Sequence, residues 1–340
     1  MNNNYILVSI VMLTYNHSEY IKEAIDSILM QDVDFKYEII IGDDCSTDNT
    51  QEILLQYKNR YPNIFKLILR SENIGPTKNF YDVLMNCKGK YIAFLEGDDY
   101  WLDGMKLQKQ FDFLEKTNHM AVYNDVLTVD ENNNVHESYK YPSHLEKIYS
   151  IEDWKKWIIP GQIGGSMIKN IFMDSEEDYT IIFKAHSIIG DRTLALILSN
   201  KGNIYCDKEV LSAYRFVTDS GSSFSAQSKN SSFVNENYSY YRKLFDYYRH
   251  VTGQKLDSIE LEEKLFGSSI ERFKSSRNLD SLKLIYSTFS NLKHKTKLVH
   301  VRLIKLPFKL IKLIKSPPKV KVLLICNSLY VKIVVKSRLN

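Results

Sequence analysis

Strand-length apolar runs that end in acidic clusters constrain this chain more than any other feature. Ile39-Ile40-Ile41 leads into Gly42-Asp43-Asp44-Cys45-Ser46-Thr47-Asp48, and Tyr91-Ile92-Ala93-Phe94-Leu95 leads into Glu96-Gly97-Asp98-Asp99. A short apolar run bounded by Gly and Asp reads as a buried parallel strand running into a loop. In an open α/β sheet such loops gather at the carboxyl ends of the strands, where ligands bind. Carboxylates brought together there repel one another unless a divalent cation or a donor-rich polar ligand lies among them.

The order of elements agrees with that reading. Strands are expected over 7–14, 37–41, 65–69, 90–95 and 120–129. Helices are expected over 19–30, from Asp48 as N-cap (with Gln51 three residues on) to about Tyr61, over 80–86 and over 106–116. Strands that alternate with helices form βαβ units with right-handed crossovers. The regularity fades at 131–165, where a polar loop precedes a short helix over 151–159 that carries Trp154 and Trp157. A strand at 166–168, a helix from Asp191 to Leu198 and an extended stretch over 205–216 follow. Residues 220–232 are rich in Ser and Gly and read as a linker, and 234–288 has helical spacing. The expected architecture is α/β, a Rossmann-like, mostly parallel sheet with flanking helices over 1–220, a helical appendage over 221–290 and a tail over 291–340.

Composition narrows the function classes. The four cysteines are far apart and form no C-x-x-C pair, so they read as reduced thiols of a cytosolic protein, not as a disulfide framework or zinc site. No stretch of about 18 uninterrupted apolar residues is present, and the first residues lack the charged-then-apolar pattern of a signal peptide. The net charge of +4 conceals an asymmetry. Residues 291–340 hold 13 Lys and Arg with no Asp or Glu, which leaves 32 basic against 41 acidic residues in the body. Lys305, Lys309, Lys312 and Lys315 recur at helical spacing among Leu and Ile, the pattern of a basic amphipathic segment on an anionic membrane surface. A solvated helix packing on the body is the plainer alternative. Nucleic acid is disfavoured as a partner, because the tail lacks interleaved aromatics and the body is acidic.

Thr14-Tyr15-Asn16 ends the first strand and Asp43-Asp44 the second, so the two loops are neighbours in a doubly wound sheet. A carboxylate there can accept from a base or ribose, and Tyr15 offers a stacking face; Asp43 and Asp48 could also merely cap the following helix. No G-x-G-x-x-G follows any strand, and no P-loop is present. In Glu96-Gly97-Asp98-Asp99, two carboxylates one residue apart can share Mg²⁺ or Mn²⁺ with phosphate oxygens, although Gly-Asp-Asp is also ordinary turn chemistry.

Three segments carry a resemblance: Val8-Ser9-Ile10-Val11-Met12-Leu13-Thr14-Tyr15-Asn16, Gly42 to Asp48, and Tyr91 to Asp99, with Asn73-Ile74-Gly75 between them. They resemble family 2 glycosyltransferases of the GT-A fold, closely over 6–130 and more loosely to about 220. The resemblance implies an inverting enzyme that takes a sugar from a nucleotide donor, such as a UDP-sugar, to an acceptor hydroxyl. Thr14, Tyr15 and Asp44 would then line the nucleobase site with Asp43 nearby. Asp98 would bind Mn²⁺ or Mg²⁺, Glu96 would stand near ribose and metal where the family more often has Asp, and Asp99 would act from behind. Asp191, at the start of a helix after Gly190, resembles the catalytic-base position; an N-terminal helix carboxylate held by the dipole is its alternative. Arg215 of Tyr214-Arg215 would reach the diphosphate. Arg192 and His186 are candidates for acceptor or diphosphate contacts, His186 more as a structural residue, and the two tryptophans for a sugar wall or core packing.

The Gln-x-x-Arg-Trp signature of processive synthases is absent, which favours single additions. The expectation is therefore a membrane-surface enzyme on the cytoplasmic side that builds a cell-envelope glycan or glycolipid. Its alternatives are a metal-dependent nucleotidyltransferase or phosphotransferase, and a catalytically silent nucleotide-sugar binder.

Overall fold

The computed structural model describes residues 5–173, 176–216, 231–256, 259–276, 280–281, 284–285, 287–288, 321–327 and 330–336. Strands and helices alternate through β1 (Val8–Thr14), α1 (Ile21–Leu29), β2 (Tyr37–Asp43), α2 (Thr50–Arg60), β3 (Phe65–Leu69), α3 (Pro76–Leu84) and β4 (Tyr91–Phe94). Then come β5 (Tyr100–Trp101), α4 (Lys106–Lys116), β6 (Ala121–Val129), β7 (Lys147–Tyr149), α5 (Ile151–Lys155), β8 (Ser166–Lys169) and α6 (Ile181–Lys184). The helix α7 (Asp191–Lys201) and the long strand β9 (Ile204–Arg215) complete the sheet region. They are followed by α8 (Ser231–Thr252), α9 (Ile259–Ser276) and a hairpin of β10 (Lys321–Asn327) with β11 (Tyr330–Lys336).

The sheet runs β3-β2-β1-β4-β8-β6-β9-β5, with β7 also on β9. β3, β2, β1 and β4 are parallel, β8 lies antiparallel between β4 and β6, and β9 returns parallel to β6. The direction of winding reverses between β1 and β4, so the crevice beyond their carboxyl ends is the switch point at which α/β sheets bind ligands. Alternate side chains on each strand feed two cores. Ile10, Met12, Ile39 and Ile41 pack with Ile21, Ala24, Ile25 and Ile28 of α1 on one face. Val11, Ile40, Ile92 and Phe94 pack with Phe80, Val83 and Leu84 of α3 and with Leu194 and Leu198 of α7 on the other. Tyr240, Leu244 and Tyr248 of α8 enter that second core.

Several sequence expectations move. α3 begins at Pro76, not near Phe80, because Gly75 at φ +88° turns the chain and Pro76 takes the first helical position, where its missing N–H costs nothing. α2 begins at Thr50, yet Asp48 still anchors it by accepting from Thr50 N and Oγ1. α5 stops at Lys155, where Lys156 and a left-handed Trp157 close it. β5, β7 and α6 were too short to register as periodic patterns. Residues 302–315, the basic amphipathic segment, lie outside the described residues, as does most of the expected 220–232 linker. Cys45, Cys87 and Cys206 are free thiols.

Gly42, on β2, shows how closely the layers meet. A Cβ there would stand 2.5 Å from Val83 Cγ2 and 2.6 Å from Asn79 Oδ1, while Asn79 Nδ2 donates to Gly42 O at 2.8 Å. Gly42→Ala must therefore push α3 off the sheet. We expect it to cost about 1–3 kcal/mol, read as a lower urea midpoint at unchanged slope.

Candidate active site

The chain ends of β1, β2 and β4 converge at the switch point. Gly97 N donates to Leu13 O and Asp44 N donates to Thr14 O, so the two acidic loops flank the end of β1. Asn16 and Cys45 both hold φ near +60°, a conformation that Asn tolerates and Cys adopts only under constraint. The constraint is mutual: Asn16 N donates to Ser46 Oγ, and Thr47 N donates to Asn16 Oδ1. This lock presents Tyr15, half-buried, at the rim.

The paired aspartates after β2 face different ways. Asp43 is fully buried and accepts from Ser46 N, Ser46 Oγ and Gln51 Nε2. Asp44 accepts from Ile74 N at 2.8 Å through one oxygen and from Gly75 N at 3.0 Å through the other, and Asn73 Nδ2 donates to Asp44 O. Asp44 thus fastens the Asn73-Ile74-Gly75 loop across the end of β2.

Around Gly97 the packing leaves a cradle. A Cβ on Gly97 would lie 2.8 Å from His17 Nδ1 and 3.0 Å from Thr14 Oγ1. Both atoms are buried and have no hydrogen-bond partner among the described residues, beside the Glu96–Asp99 loop. His17, 3.9 Å from Asp98 Oδ2 through Nε2, was not singled out in the sequence; only its place directly after Thr14-Tyr15-Asn16 could have suggested it.

The acidic loop itself divides by environment. Asp99 is buried and accepts from Arg215 N at 2.8 Å and Gln162 Nε2 at 3.1 Å; burial, then the charge of Asp98, raises its carboxyl well above the usual range. Glu96 is half-buried in the crevice, and its carboxyl is pushed up to about 8 by desolvation, then by Asp98 and Asp191. Asp98 and Asp191 therefore both lie within electrostatic reach of Glu96, although Asp191 is almost a hundred residues away in sequence. The charge of Asp191 also reaches Tyr123, Tyr141 and Tyr214, whose phenols are raised first by burial. The Tyr141 and Tyr214 rings meet edge to face at 5.2 Å.

Arg215 departs from the expectation of a diphosphate contact. Its side chain is 1% exposed and its donors are engaged: Nε to Asp98 O, Nη1 to Asp130 O and Asn133 Oδ1, and Nη2 to Glu23 Oε2. The guanidinium also lies 4.4 Å over the Tyr20 ring, so it clamps the acidic loop against α1 and the 130–133 turn. Arg192 is likewise occupied, donating to Trp157 O and stacking 4.2 Å over the Trp157 ring. Trp154 is buried with Nε1 on Arg192 O, a core residue and not a sugar wall. His186 is buried, its Nδ1 accepting from Ile188 N, which makes it a turn-former ahead of Asp191.

A mixed α/β sheet with its acidic loops at the switch point defines a GT-A glycosyltransferase fold. The comparisons name the family. The model described as Glycosyl transferase family 2 matches residues 9–176, and the chain belongs to that family through this domain. An uncharacterised protein of Mycobacterium tuberculosis is 50% identical over 109 residues, 32% of this chain and 32% of that protein. TuaG of Bacillus subtilis, named for glycosyl transfer in teichuronic acid biosynthesis, is 40% identical over 108 residues, 32% of this chain and 42% of its own length. The chain thus spans less than half the length of these relatives. Among solved structures, S. aureus TarS 1–349 in complex with UDP-GlcNAc is similar with a TM-score of 0.52 at 16% identity, over 84% of this chain and 80% of that one; this likeness concerns the fold.

The raised Glu96 carboxyl has a consequence for stability. A group whose folded pKa exceeds its unfolded value contributes fully below the unfolded pKa, near 4.5, and the contribution is lost as pH climbs through about 8. Metal-free Glu96→Gln should melt about 2–4 °C above the unaltered protein at pH 9, with the difference vanishing toward pH 5 in differential scanning calorimetry.

Proposed function

We propose that the protein is an inverting glycosyltransferase that moves a sugar from a UDP-sugar to a hydroxyl of a cell-envelope glycan or glycolipid, one addition at a time. The observation that carries this reading is the approach of Asp98 and of the distant Asp191 to Glu96, whose carboxyl is pushed up to about 8 by desolvation first and then by those two charges. Such crowding suits a site that receives a cation and an acceptor proton. Asp98, with Glu96, would hold Mn²⁺ or Mg²⁺ together with phosphate oxygens of the donor; among the described residues no group of three or more His, Cys, Asp or Glu is arranged to hold a metal ion. The ion would supply neutralisation of the charge growing on the departing diphosphate. Thr14, Tyr15, Asp43 and Asp44 form the nucleoside side, and the unpartnered Thr14 Oγ1 supports a polar ligand there.

Asp191 is the proposed base. Inversion needs the acceptor oxygen to attack the anomeric carbon from the face opposite the diphosphate while its proton passes to a carboxylate. Asp191 begins α7, so its carboxylate stands at the helix N-terminus, beside the crevice. The teichuronic acid biosynthesis for which TuaG is named supports an envelope polymer as acceptor, and the UDP-GlcNAc bound by TarS supports a UDP donor. No helix among the described residues is long and apolar enough to cross a membrane. The basic residues of 291–340 would attach the protein to an anionic cytoplasmic surface.

A panel of nucleotide sugars with and without Mn²⁺ tests the donor and the metal: a UDP-sugar should be hydrolysed or transferred with metal and spared without it. Asp191→Asn should lower turnover by about a hundredfold or more while binding of the donor persists; unchanged turnover sinks the base assignment. Removal of residues 291–340 should abolish co-sedimentation with vesicles rich in anionic lipid, and undiminished binding refutes the attachment role.

A further inference from the structure

We infer that helix α8, outside the region matched by the family, is a positioning element of the active site that sets Asp191 by gripping the chain on both sides of it. The inference rests on the reading of Asp191 as the base. Before Asp191, Glu236 Oε2 accepts from Ser187 Oγ at 2.6 Å and from Ser187 N at 3.2 Å, and Lys243 Nζ donates to Lys184 O at 2.6 Å. After it, the Tyr240 hydroxyl pairs with Thr193 Oγ1 at 3.2 Å, both groups being fully buried. The Tyr240 ring also stands edge-on to the His186 imidazole at 5.4 Å.

The opposite side of the same segment is fixed by the sheet domain. Thr77 Oγ1, at the first turn of α3, donates to His186 O and Ser187 O at 3.0 and 3.1 Å, and a Cβ on Gly190 would already reach Phe80 at 3.0 Å. The base-bearing turn is thus held in a vice, with α3 as one jaw and α8 as the other. The α3 jaw is in turn fastened to the nucleoside side through Asp44. The α8 jaw reaches the base-bearing segment through the hydrogen bonds just named, which fall on residues 184–193 and not on the Asp44 loop. Loosening α8 should then move the base and leave the nucleotide site intact. Position matters here, since a misplacement of about 1 Å in a reacting group can cost a hundredfold in rate.

Glu236 is the lever to test, because its side chain is 41% exposed and its truncation leaves no core cavity. In the full chain, Glu236→Ala should speed amide exchange at 187–191 by about tenfold, lower kcat by about tenfold and change the Kd for UDP with Mn²⁺ by less than about twofold. Glu236→Gln keeps an acceptor for Ser187 and should restore most of kcat and protection. Tyr240→Phe, which removes only the hydroxyl, should speed exchange around Thr193. Unchanged exchange at 187–191 in Glu236→Ala overturns the inference, and so does a UDP affinity that falls in step with kcat. A turnover indifferent to Asp191→Asn overturns the base assignment, and the exchange measurements judge the grip of α8 separately from it.

Discussion

The Asp44 carboxylate holds three distant segments in one geometry. Its two oxygens take the N–H groups of Ile74 and Gly75 where the chain turns at positive φ into α3. That fixes the start of α3, hence Thr77, hence the carbonyls of His186 and Ser187 that precede Asp191. A hydrogen bond to a charged acceptor is worth about 1.5–3 kcal/mol, and two on one carboxylate also fix direction. The Asp43-Asp44 loop and the turn before Asp191, separated by well over a hundred residues, are thereby joined through a single helix N-terminus.

Donor supply sorts the carboxylates into roles. Asp43 and Asp99 are buried, and each accepts from several protein donors, so they build the loops. Glu96, Asp98 and Asp191 are half-buried at the crevice with fewer donors directed at them, which leaves their oxygens for outside partners. Arg215 serves the first group. It donates from Nε to the backbone Asp98 O and from its own N–H to Asp99 Oδ1, and so holds the backbone of the loop at Asp98 and Asp99.

The N-terminal half was legible because its strands are apolar enough to announce burial on both faces, and because the acidic loops follow them directly. Ile39 to Ile41 and Tyr91 to Phe94 lie as read. The start of α3 was missed because the deciding agents are Gly75 and a carboxylate thirty residues earlier, neither of which shows in helical periodicity. β5 and β7 are two and three residues long and exist through pairing with β9, so no local pattern could reveal them. At Arg215, sequence order suggested a cation free for phosphate, but the enclosure by Glu23, Tyr20 and Asn133 is a tertiary fact. Glu236 was equally silent, since an exposed glutamate on a helix has no signature until its Ser187 partner is placed beside it.

A crowded acidic crevice must be relieved even when nothing is bound, and the proton is the smallest cation that can do so. With its carboxyl near 8, Glu96 is mostly neutral at pH 7, which lowers the repulsion felt by Asp98 and Asp191. A divalent ion entering beside Asp98 would displace that proton and exchange one form of relief for a stronger one. Position 96 thus carries a carboxyl that its desolvated surroundings favour in the neutral form, and that lowers the charge the fold must tolerate beside Asp98 and Asp191.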